Sequence, residues 1–227
     1  MILVPVKNLA KAKQRLAAVL DQRVRTELAH TMLTDVVEAI AEFGADQVAL
    51  TTSDPFAFDL ARQFRFEVIL DESNISETDA IEKATQVCVS RGIASTLVLP
   101  GDIPLIDAAD LRAIYDAQPD TGSVLVPAAD KRGTNAVLRR PAALFPLRFG
   151  NDSFMPHLAA AIAAEKSCVV LSLPRIGLDI DSPEDLRDLA VAAGEKRSQI
   201  LARKLGFGEM RPPAGDSTGQ SSLMAKS

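Results

Sequence analysis

The run at residues 96–99, a Thr followed by Leu-Val-Leu, constrains the fold more than any other stretch of this chain. It stops abruptly at Pro100 and Gly101. Short uninterrupted apolar runs are typical of strands buried on both faces of a parallel sheet. Ligands of open α/β sheets bind at the carboxyl ends of such strands. We therefore expect the next residue, Asp102, at the floor of a site, although a simple turn in which Asp102 binds its own backbone explains the same residues.

Strand-like and helix-like segments alternate along the rest of the chain. Short apolar and β-branched runs predict strands at 2–6, 47–52, 66–70, 96–99, 123–128, 136–139 and 169–173. Helical spacing predicts helices at 21–43, 53–62, 80–91, 107–117 and 153–165, and Ser182, Pro183 and Asp185 are typical of the start of another. This alternation predicts an α/β protein with a mostly parallel sheet that has helices on both sides.

The composition excludes several classes of protein. The 227 residues are 47% hydrophobic and 24% charged, which suits one globular domain. A formal charge of −5 gives no basic excess for binding nucleic acid. No apolar run approaches the roughly 20 residues that span a bilayer, and no secretory signal is seen. We expect a cytoplasmic protein with neither nucleic acid nor membrane as a partner.

The cysteines, histidines and carboxyl-terminal segment add three smaller expectations. Cys88 and Cys168 have apolar neighbours and are expected as reduced core residues. His30 and His157 are too few for a histidine-based metal centre, and a lone histidine is more often a packed or surface residue than a ligand. Residues 209–227 are rich in Pro, Gly and Ser, which predicts a disordered tail after a domain at 1–208.

A cationic segment follows the first predicted strand and contains Lys7, Lys11, Lys13 and Arg15. Cations crowded at the carboxyl end of a strand repel one another unless an anion joins them, and polyphosphate is a natural guest. The segment has neither the P-loop pattern nor the Gly-x-Gly-x-x-Gly pattern of dinucleotide-binding domains. We predict that it binds phosphates, and a solvated cationic loop is the alternative.

A second acidic element, Asp179 and Asp181, follows the last predicted strand. Mg²⁺ is usually held by one or two carboxylates and by the phosphates of the substrate. Asp102, Asp179 and Asp181 therefore predict a Mg²⁺ site. A helix start explains Ser182 and Pro183, but it does not explain the two carboxylates before them.

Two glycine-containing turns form the third candidate. Gly133 and Gly150 allow close approach of the backbone to a ligand, and Ser153 opens a helix whose N-terminus favours an anion. Arg148 can add a charge-assisted hydrogen bond. Two ordinary turns are the alternative. The candidate substrate-binding residues are Thr134, Asn135, Arg148, Gly150 and Ser153.

Taken in this order, the motifs resemble those of the 2-phospho-L-lactate guanylyltransferases, a family that includes the phosphoenolpyruvate and 3-phosphoglycerate guanylyltransferases of deazaflavin coenzyme biosynthesis. The matching stretches are 4–16, 99–105, 133–135, 148–153 and 178–186, and the resemblance covers about residues 1–189. It implies a single-domain, three-layer α/β/α nucleotidyltransferase fold with a mostly parallel mixed sheet. That fold is glycosyltransferase-A-like and similar to the molybdenum-cofactor nucleotidyltransferases.

The resemblance also implies a reaction, in which GTP and a phosphorylated three-carbon acid give a guanylylated acid and pyrophosphate. The phosphate of the acid attacks the α-phosphorus of GTP, so no nucleophile from the protein is needed. By the same resemblance, the GTP phosphates would be held by Lys7, Lys13 and Arg15. Asp102 and one of Asp179 or Asp181 would hold Mg²⁺. The positions that bind the acid in the family match Thr134, Gly150 and Ser153.

The chain departs from the family pattern at residues 72–80, where an Asp-Leu-Asn motif is usual, and this leaves the guanine contacts open. Gly101 also replaces the usual Ala. Two alternatives are another nucleotidyltransferase of this fold, such as a molybdopterin cytidylyltransferase, and a non-catalytic nucleotide-binding regulator. The first loop lacks the Gly-rich opening of the cytidylyltransferases, and a silent binder has no need for the three aspartates. The identity of the acid and the oligomeric state stay open, with a homodimer as one candidate.

Overall fold

The computed structural model describes residues 1–71, 76–150 and 152–208. The strands are β1 Ile2–Val6, β2 Val48–Thr52, β3 Glu67–Leu70, β4 Thr96–Val98, β5 Gly122–Pro127, β6 Thr134–Arg140 and β7 Ser167–Val170. The helices are α1 Gln22–Phe43, α2 Pro55–Phe64, α3 Glu77–Ser90, α4 Ala108–Asp116, α5 Phe154–Ala163, α6 Pro174–Gly177, α7 Pro183–Val191 and α8 Arg197–Lys204. Two 3₁₀ turns, Leu9–Lys11 and Gln14–Leu16, follow β1.

All seven strands form one sheet in the order β3-β2-β1-β4-β6-β5-β7. Strand β6 runs antiparallel to β4 and β5, and the other neighbours are parallel. The predicted mostly parallel mixed sheet is confirmed. Because β1 and β4 are parallel neighbours, their carboxyl ends bring the cationic segment beside residues 100–102.

Helices cover both faces of the sheet, which confirms three layers. Alternate residues of β1 enter opposite cores, since side chains of a strand alternate between the faces. Ile2 packs in a cluster with Leu33 of α1, whereas Leu3 packs in one with Ile81 of α3. Each such fully buried aliphatic side chain contributes about 1.5–3 kcal/mol of hydrophobic stabilisation. Packing on both faces therefore holds β1 firmly in place, and with it the carboxyl end from which the cationic segment starts.

Most element boundaries differ from the predicted ones by one or two residues, and three of the differences have a clear structural cause. β6 begins at Thr134, inside the predicted turn, because the hairpin with β5 closes there and Thr134 pairs with Pro127 across a register shift. β7 covers 167–170 rather than 169–173, since it is these residues that pair with β5. Helix α3 begins at Glu77 rather than at residue 80, because the Ser76 side chain accepts a hydrogen bond from the Asp79 backbone N–H and caps the helix.

Helix α8 was not predicted and is fixed by Asp35, a buried carboxylate of α1. Asp35 accepts hydrogen bonds from the backbone N–H groups of Arg197 at 3.2 Å and of Ser198 at 2.9 Å. The Gln199 side chain also accepts a hydrogen bond from the Lys196 backbone N–H at 3.0 Å, so the helix start has a local partner and a distant one. The distant partner, Asp35, cannot be predicted from local sequence. The predicted tail at 209–227 lies outside the described residues.

The start of α7 and the two cysteines can also be compared with their predictions. The predicted capping box of Ser182 and Asp185 is confirmed at the start of α7. Cys88 is buried as expected, whereas Cys168 is only half-buried, because β7 lies at the edge of the sheet; both are free thiols. None of the described helices is long and apolar enough to cross a membrane.

Candidate active site

The candidate site lies where the carboxyl ends of β1 and β4 meet the segment before α7. The backbone N–H of Ile180 donates to the Asp102 carbonyl oxygen at 3.1 Å. This bond places the two residues that flank Ile180, Asp179 and Asp181, beside Asp102. The structure thus brings together the three carboxylates that the sequence singles out.

Lys13 lies between two of these carboxylates. Its ammonium donates to Asp102 Oδ2 at 2.6 Å and to Asp181 Oδ1 at 3.0 Å, and its side chain is only 7% exposed. Burial lowers the pKa of Lys13, but the attraction of Asp102 and Asp181 outweighs it, and the net pKa is raised. Lys13 has a positive φ of 56°, a conformation that a non-glycine residue adopts only when its surroundings hold it there.

The two other cations predicted to bind the GTP phosphates, Lys7 and Arg15, also form ion pairs, and Arg15 shares Asp181 with Lys13. Arg15 donates to Asp181 Oδ2 at 3.0 Å. Although burial alone would raise the pKa of Asp181, Lys13 and Arg15 together lower it. Lys7 donates to the buried Asp71 at 3.1 Å. The cations and the aspartates of this edge therefore form one electrostatic cluster.

Asn135 supports the segment that carries Asp179. Its side-chain amide donates to Asp179 Oδ1 at 2.9 Å and to the backbone carbonyls of Ile176 at 2.9 Å and Gly177 at 3.3 Å. Burial raises the pKa of Asp179, and the nearby charges of Asp102 and Asp181 add to the effect. The side-chain nitrogen of Asn135 is thus engaged in holding this segment, while the residue also lines the cleft described below.

The donor chemistry of the carboxylates suits a divalent cation. Asp102, Asp179 and Asp181 offer hard oxygen atoms, which are the ligands that Mg²⁺ prefers. In the described part of the chain, no group of three or more His, Cys, Asp or Glu side chains is placed so that it could hold a metal ion. A site for Mg²⁺ does not require such a group, because Mg²⁺ is commonly held by one or two carboxylates and by substrate phosphates.

A cleft of about 330 Å³ opens beside the carboxylates. Most of the predicted substrate-binding residues line it: Thr134, Asn135, Gly150 and Ser153. The Arg148 side chain is the exception, because it is exposed and is not among the residues of the wall. Arg148 contributes instead through its backbone N–H, which donates to His157 Nε2 at 2.9 Å.

A second cavity of about 370 Å³ lies between the cationic segment and α1. Its lining contains three lysines, Lys7, Lys11 and Lys13, together with the apolar residues Leu9, Ala29, Met32, Leu33 and Pro100. Asp102, Pro100 and Glu77 line both cavities. The two spaces therefore meet at the cluster of charges.

Sequence analysis did not single out Glu77, nor the charged residues Asp130, Arg132 and Asp152 that also line the cleft. Burial, aided by the charge of Asp102, raises the pKa of Glu77 to about 7. The other charged residues include Arg132, whose Nε donates to Asp152 Oδ1 at 2.6 Å. For Glu77 the only signal was the departure of residues 72–80 from the family pattern.

His157 lies behind Thr134, which is one of the residues that line the cleft. The imidazole is 1% exposed, and its Nδ1 lies 3.0 Å from Thr134 Oγ1. Burial, together with the charge of Arg139, lowers the pKa of His157 to about 4. The sequence favours a packed or surface residue over a ligand at His157, and the structure places it in the packed interior.

Comparison with known proteins places these features in a family. A family model described as guanylyl transferase CofC like matches residues 1–220. A phosphoenolpyruvate guanylyltransferase of Rubrobacter xylanophilus is 36% identical over 84% of this chain and 93% of its own. A 2-phospho-L-lactate guanylyltransferase of Methanothermobacter thermautotrophicus is 30% identical over 94% and 93%. A 3-phospho-D-glycerate guanylyltransferase of Colwellia psychrerythraea is 30% identical over 88% and 95%.

Solved structures support the fold alone. A protein described as a nucleotide-diphospho-sugar transferase from Desulfovibrio desulfuricans superposes with a TM-score of 0.74 at 18% identity, over 89% of this chain and 93% of that one. A nucleotidyl transferase from Methanothermobacter superposes with a TM-score of 0.58 at 16% identity, over 89% and 97%. The predicted nucleotidyltransferase fold is thereby confirmed.

Proposed function

Because the chain belongs to the CofC-like guanylyl transferase family, we propose that it transfers the guanylyl group of GTP to the phosphate of a phosphorylated three-carbon acid, with release of pyrophosphate. The observation that carries the proposal is the meeting of Lys13 with Asp102 and Asp181 at the junction of two cavities. The relative named for phosphoenolpyruvate is 36% identical to this chain, which favours phosphoenolpyruvate among the three acids.

Each cavity suits one of the two substrates. The second cavity is lined by apolar residues that can contact a base and by three lysines that can bind phosphates, so we assign GTP to it. The first cleft offers the hydroxyls of Thr134 and Ser153 and the glycine backbone at Gly150, so we assign the acid to it. Asp102 lies in the wall of both, where the α-phosphorus of GTP and the phosphate of the acid would meet.

Asp102, Asp179 and Asp181 are the residues that we expect to hold Mg²⁺. When bound, Mg²⁺ supplies positive charge that neutralises the phosphate oxygens. The rest of the work falls to the side chains of this chain. Lys7, Lys13 and Arg15 bind and orient the phosphates, and they offset the Coulomb cost of bringing two anions together.

The chain's own contribution to the rate is thus positioning and charge stabilisation rather than covalent catalysis. Holding the phosphate of the acid in line with the α-phosphorus makes the reaction effectively unimolecular. Asn135 keeps the carboxylate of Asp179 in place through a 2.9 Å hydrogen bond. No protein nucleophile is required for this reaction.

The test is pyrophosphate release by the purified protein with Mg²⁺, each nucleoside triphosphate in turn, and phosphoenolpyruvate, 2-phospho-L-lactate or 3-phospho-D-glycerate. We expect release with GTP and one of the acids, and with phosphoenolpyruvate in particular. Release with CTP alone would instead support a cytidylyltransferase, and binding of nucleotide without any release would support a regulator. Omission of Mg²⁺ is the matched control for the metal, with release expected to stop.

A further inference from the structure

His157 makes two hydrogen bonds under the cleft, and no step of the proposed reaction requires it. Its Nε2 lies 2.9 Å from the backbone nitrogen of Arg148, and its Nδ1 lies 3.0 Å from Thr134 Oγ1. The Phe149 ring packs edge-on against it, with 5.0 Å between the ring centroids. An imidazole held on both nitrogens has a fixed orientation, and its partners determine which nitrogen carries the proton.

The partners of His157 define one tautomer. A backbone N–H can only donate, so Nε2 must be the acceptor of the bond from Arg148. A neutral imidazole has a single N–H, which therefore lies on Nδ1 and donates to Thr134 Oγ1. The lowered pKa of His157, about 4, keeps the ring neutral near pH 7.

This tautomer controls the hydroxyl pair above it. Thr134 Oγ1 and Ser153 Oγ lie 3.3 Å apart, and Ser153 Oγ also accepts from the Thr134 backbone N–H at 3.0 Å. The two hydroxyls carry two hydrogens, of which their mutual bond uses one. Since His157 Nδ1 is a donor, it accepts neither, and no other residue described in the structure accepts the second. Both residues line the cleft, so we infer that the remaining O–H points into it.

The opposite tautomer would remove that donor. If Nδ1 were an acceptor, the Thr134 hydroxyl would donate to it. The Ser153 hydroxyl would then donate to Thr134 Oγ1, and both hydrogens would be used within the protein. The position of one imidazole proton therefore decides whether this wall offers a hydrogen-bond donor.

We propose that His157 is a positioning residue that makes the Thr134–Ser153 pair a hydrogen-bond donor toward the cleft. A wall of this polarity favours an anionic group that only accepts hydrogen bonds, such as the carboxylate of the acid, and disfavours a group that must donate. The assignment of the acid to the cleft rests on the proposed function. The inference that the Thr134–Ser153 pair is a hydrogen-bond donor does not depend on the proposed function.

The first experiment measures the tautomer directly and is independent of catalysis. The chain has 2 histidines, so nitrogen-15 labelling of histidine gives two imidazoles, and a His157→Leu variant identifies the signals of His157. Two-bond proton–nitrogen correlations are expected to show the proton on Nδ1 and no titration between about pH 5 and pH 8. A proton on Nε2, or titration within that range, overturns the proposal.

The second experiment measures what the donor does. His157→Leu is expected to raise the KM for the acid by about tenfold to a hundredfold, the loss typical of a hydrogen bond to a charged group, with the KM for GTP unchanged. His157→Asn keeps an N–H beside Thr134 and is expected to recover most of that loss. Leu158→Ala on the same helix is the matched control, because it removes packing and is expected to lower the Tm with both KM values unchanged.

Equal increases in both KM values for His157→Leu, or no recovery in His157→Asn, would show a merely structural role and overturn the proposal. If the wild-type protein releases pyrophosphate with none of the acids, the proposed function fails. The tautomer experiment then still decides whether the hydroxyl pair is a donor.

Discussion

The ammonium of Lys13 joins the carboxylate of Asp102, at 2.6 Å, to the carboxylate of Asp181, at 3.0 Å. It thereby ties the loop after the first strand to the loop after the fourth and to the segment before α7. Two carboxylates this close repel each other, and a single buried cation offsets that repulsion. The positive φ of Lys13 marks the strain that these interactions overcome.

Replacement of Lys13 by Met keeps the aliphatic stem and removes the charge. We expect the KM for GTP to rise at least about tenfold, because a charge-assisted bond to phosphate is lost. The free energy of unfolding is expected to fall by about 1–3 kcal/mol, since Asp102 and Asp181 lose a common partner. Steady-state kinetics and urea unfolding measure the two effects. Lys166→Met, at an exposed lysine, is the control, and an effect confined to the KM for the acid would contradict the assignment of Lys13 to GTP.

Replacement of Asp102 by Asn tests the centre of the cluster. We expect kcat to fall by more than about a hundredfold. Changing a residue that only hydrogen-bonds to a metal ligand typically costs about tenfold to a hundredfold, and the loss of a ligand itself should cost more. The fold is expected to persist, because Asp102 contributes its backbone carbonyl to the bond with Ile180 and that carbonyl is unchanged. Pyrophosphate release and circular dichroism check both statements. Asp116→Asn, at an exposed carboxylate of α4, should leave turnover unchanged, and near-normal turnover of the Asp102 variant would remove this residue from the metal site.

Much of the site could be predicted because it follows from strand ends. Asp102 comes directly after a buried strand, and Lys13 lies in the segment after another strand that proves to be its parallel neighbour. Residues in such places must converge at one edge of the sheet. Lys7 and Arg15 belong to the same segment as Lys13 and are explained in the same way. Asp179 and Asp181 are not, because they come after α6 rather than directly after a strand. The hydrogen bonds of Ile180 to Asp102 and of Asn135 to Asp179 bring them to this edge.

The residues that could not be predicted depend on contacts between distant parts of the chain. Glu77 lines the cavities only because Ser76 caps α3 three residues earlier than the apolar pattern indicates. Arg148 reads as a cationic ligand, yet its side chain is exposed and its backbone N–H is what contacts His157. Helix α8 depends on the buried Asp35 of α1. The pattern of neighbouring residues in one sequence does not indicate such distant partners.

Replacement of Asn135 by Asp tests the scaffold beneath the metal site. The new carboxylate would face Asp179 and two backbone carbonyls without any donor to offer them. We expect the free energy of unfolding to fall by about 3 kcal/mol or more, because a buried charge is left unpaired. Urea unfolding with and without Mg²⁺ measures the loss and any recovery. If Asp179 and the new carboxylate hold Mg²⁺ together, the added metal should restore part of the stability; an unchanged midpoint in metal-free buffer would contradict the role of Asn135.

Replacement of Glu77 by Gln tests the raised pKa at the junction of the cavities. The pKa of Glu77 is raised from 4.5 to about 7, so the folded protein binds this proton more tightly than the unfolded chain. Stability from Glu77 is therefore fully present below about pH 4.5 and is lost as the pH rises toward and through 7. The lost free energy approaches about 3 kcal/mol above pH 7 in metal-free buffer.

Glu77→Gln cannot ionise, so we expect it to be more stable than the wild type at pH 8 and nearly equal to it at pH 4. Urea unfolding across this pH range, with a chelator present, measures the difference. Glu82→Gln, at an exposed position of the same helix, is the matched control and should follow the wild-type curve. A stability difference between wild type and Glu77→Gln that does not change with pH would show that Glu77 is already ionised at low pH. Mg²⁺ held by the three aspartates would bring positive charge near Glu77 and lower its pKa, so the added metal should narrow the difference at pH 8.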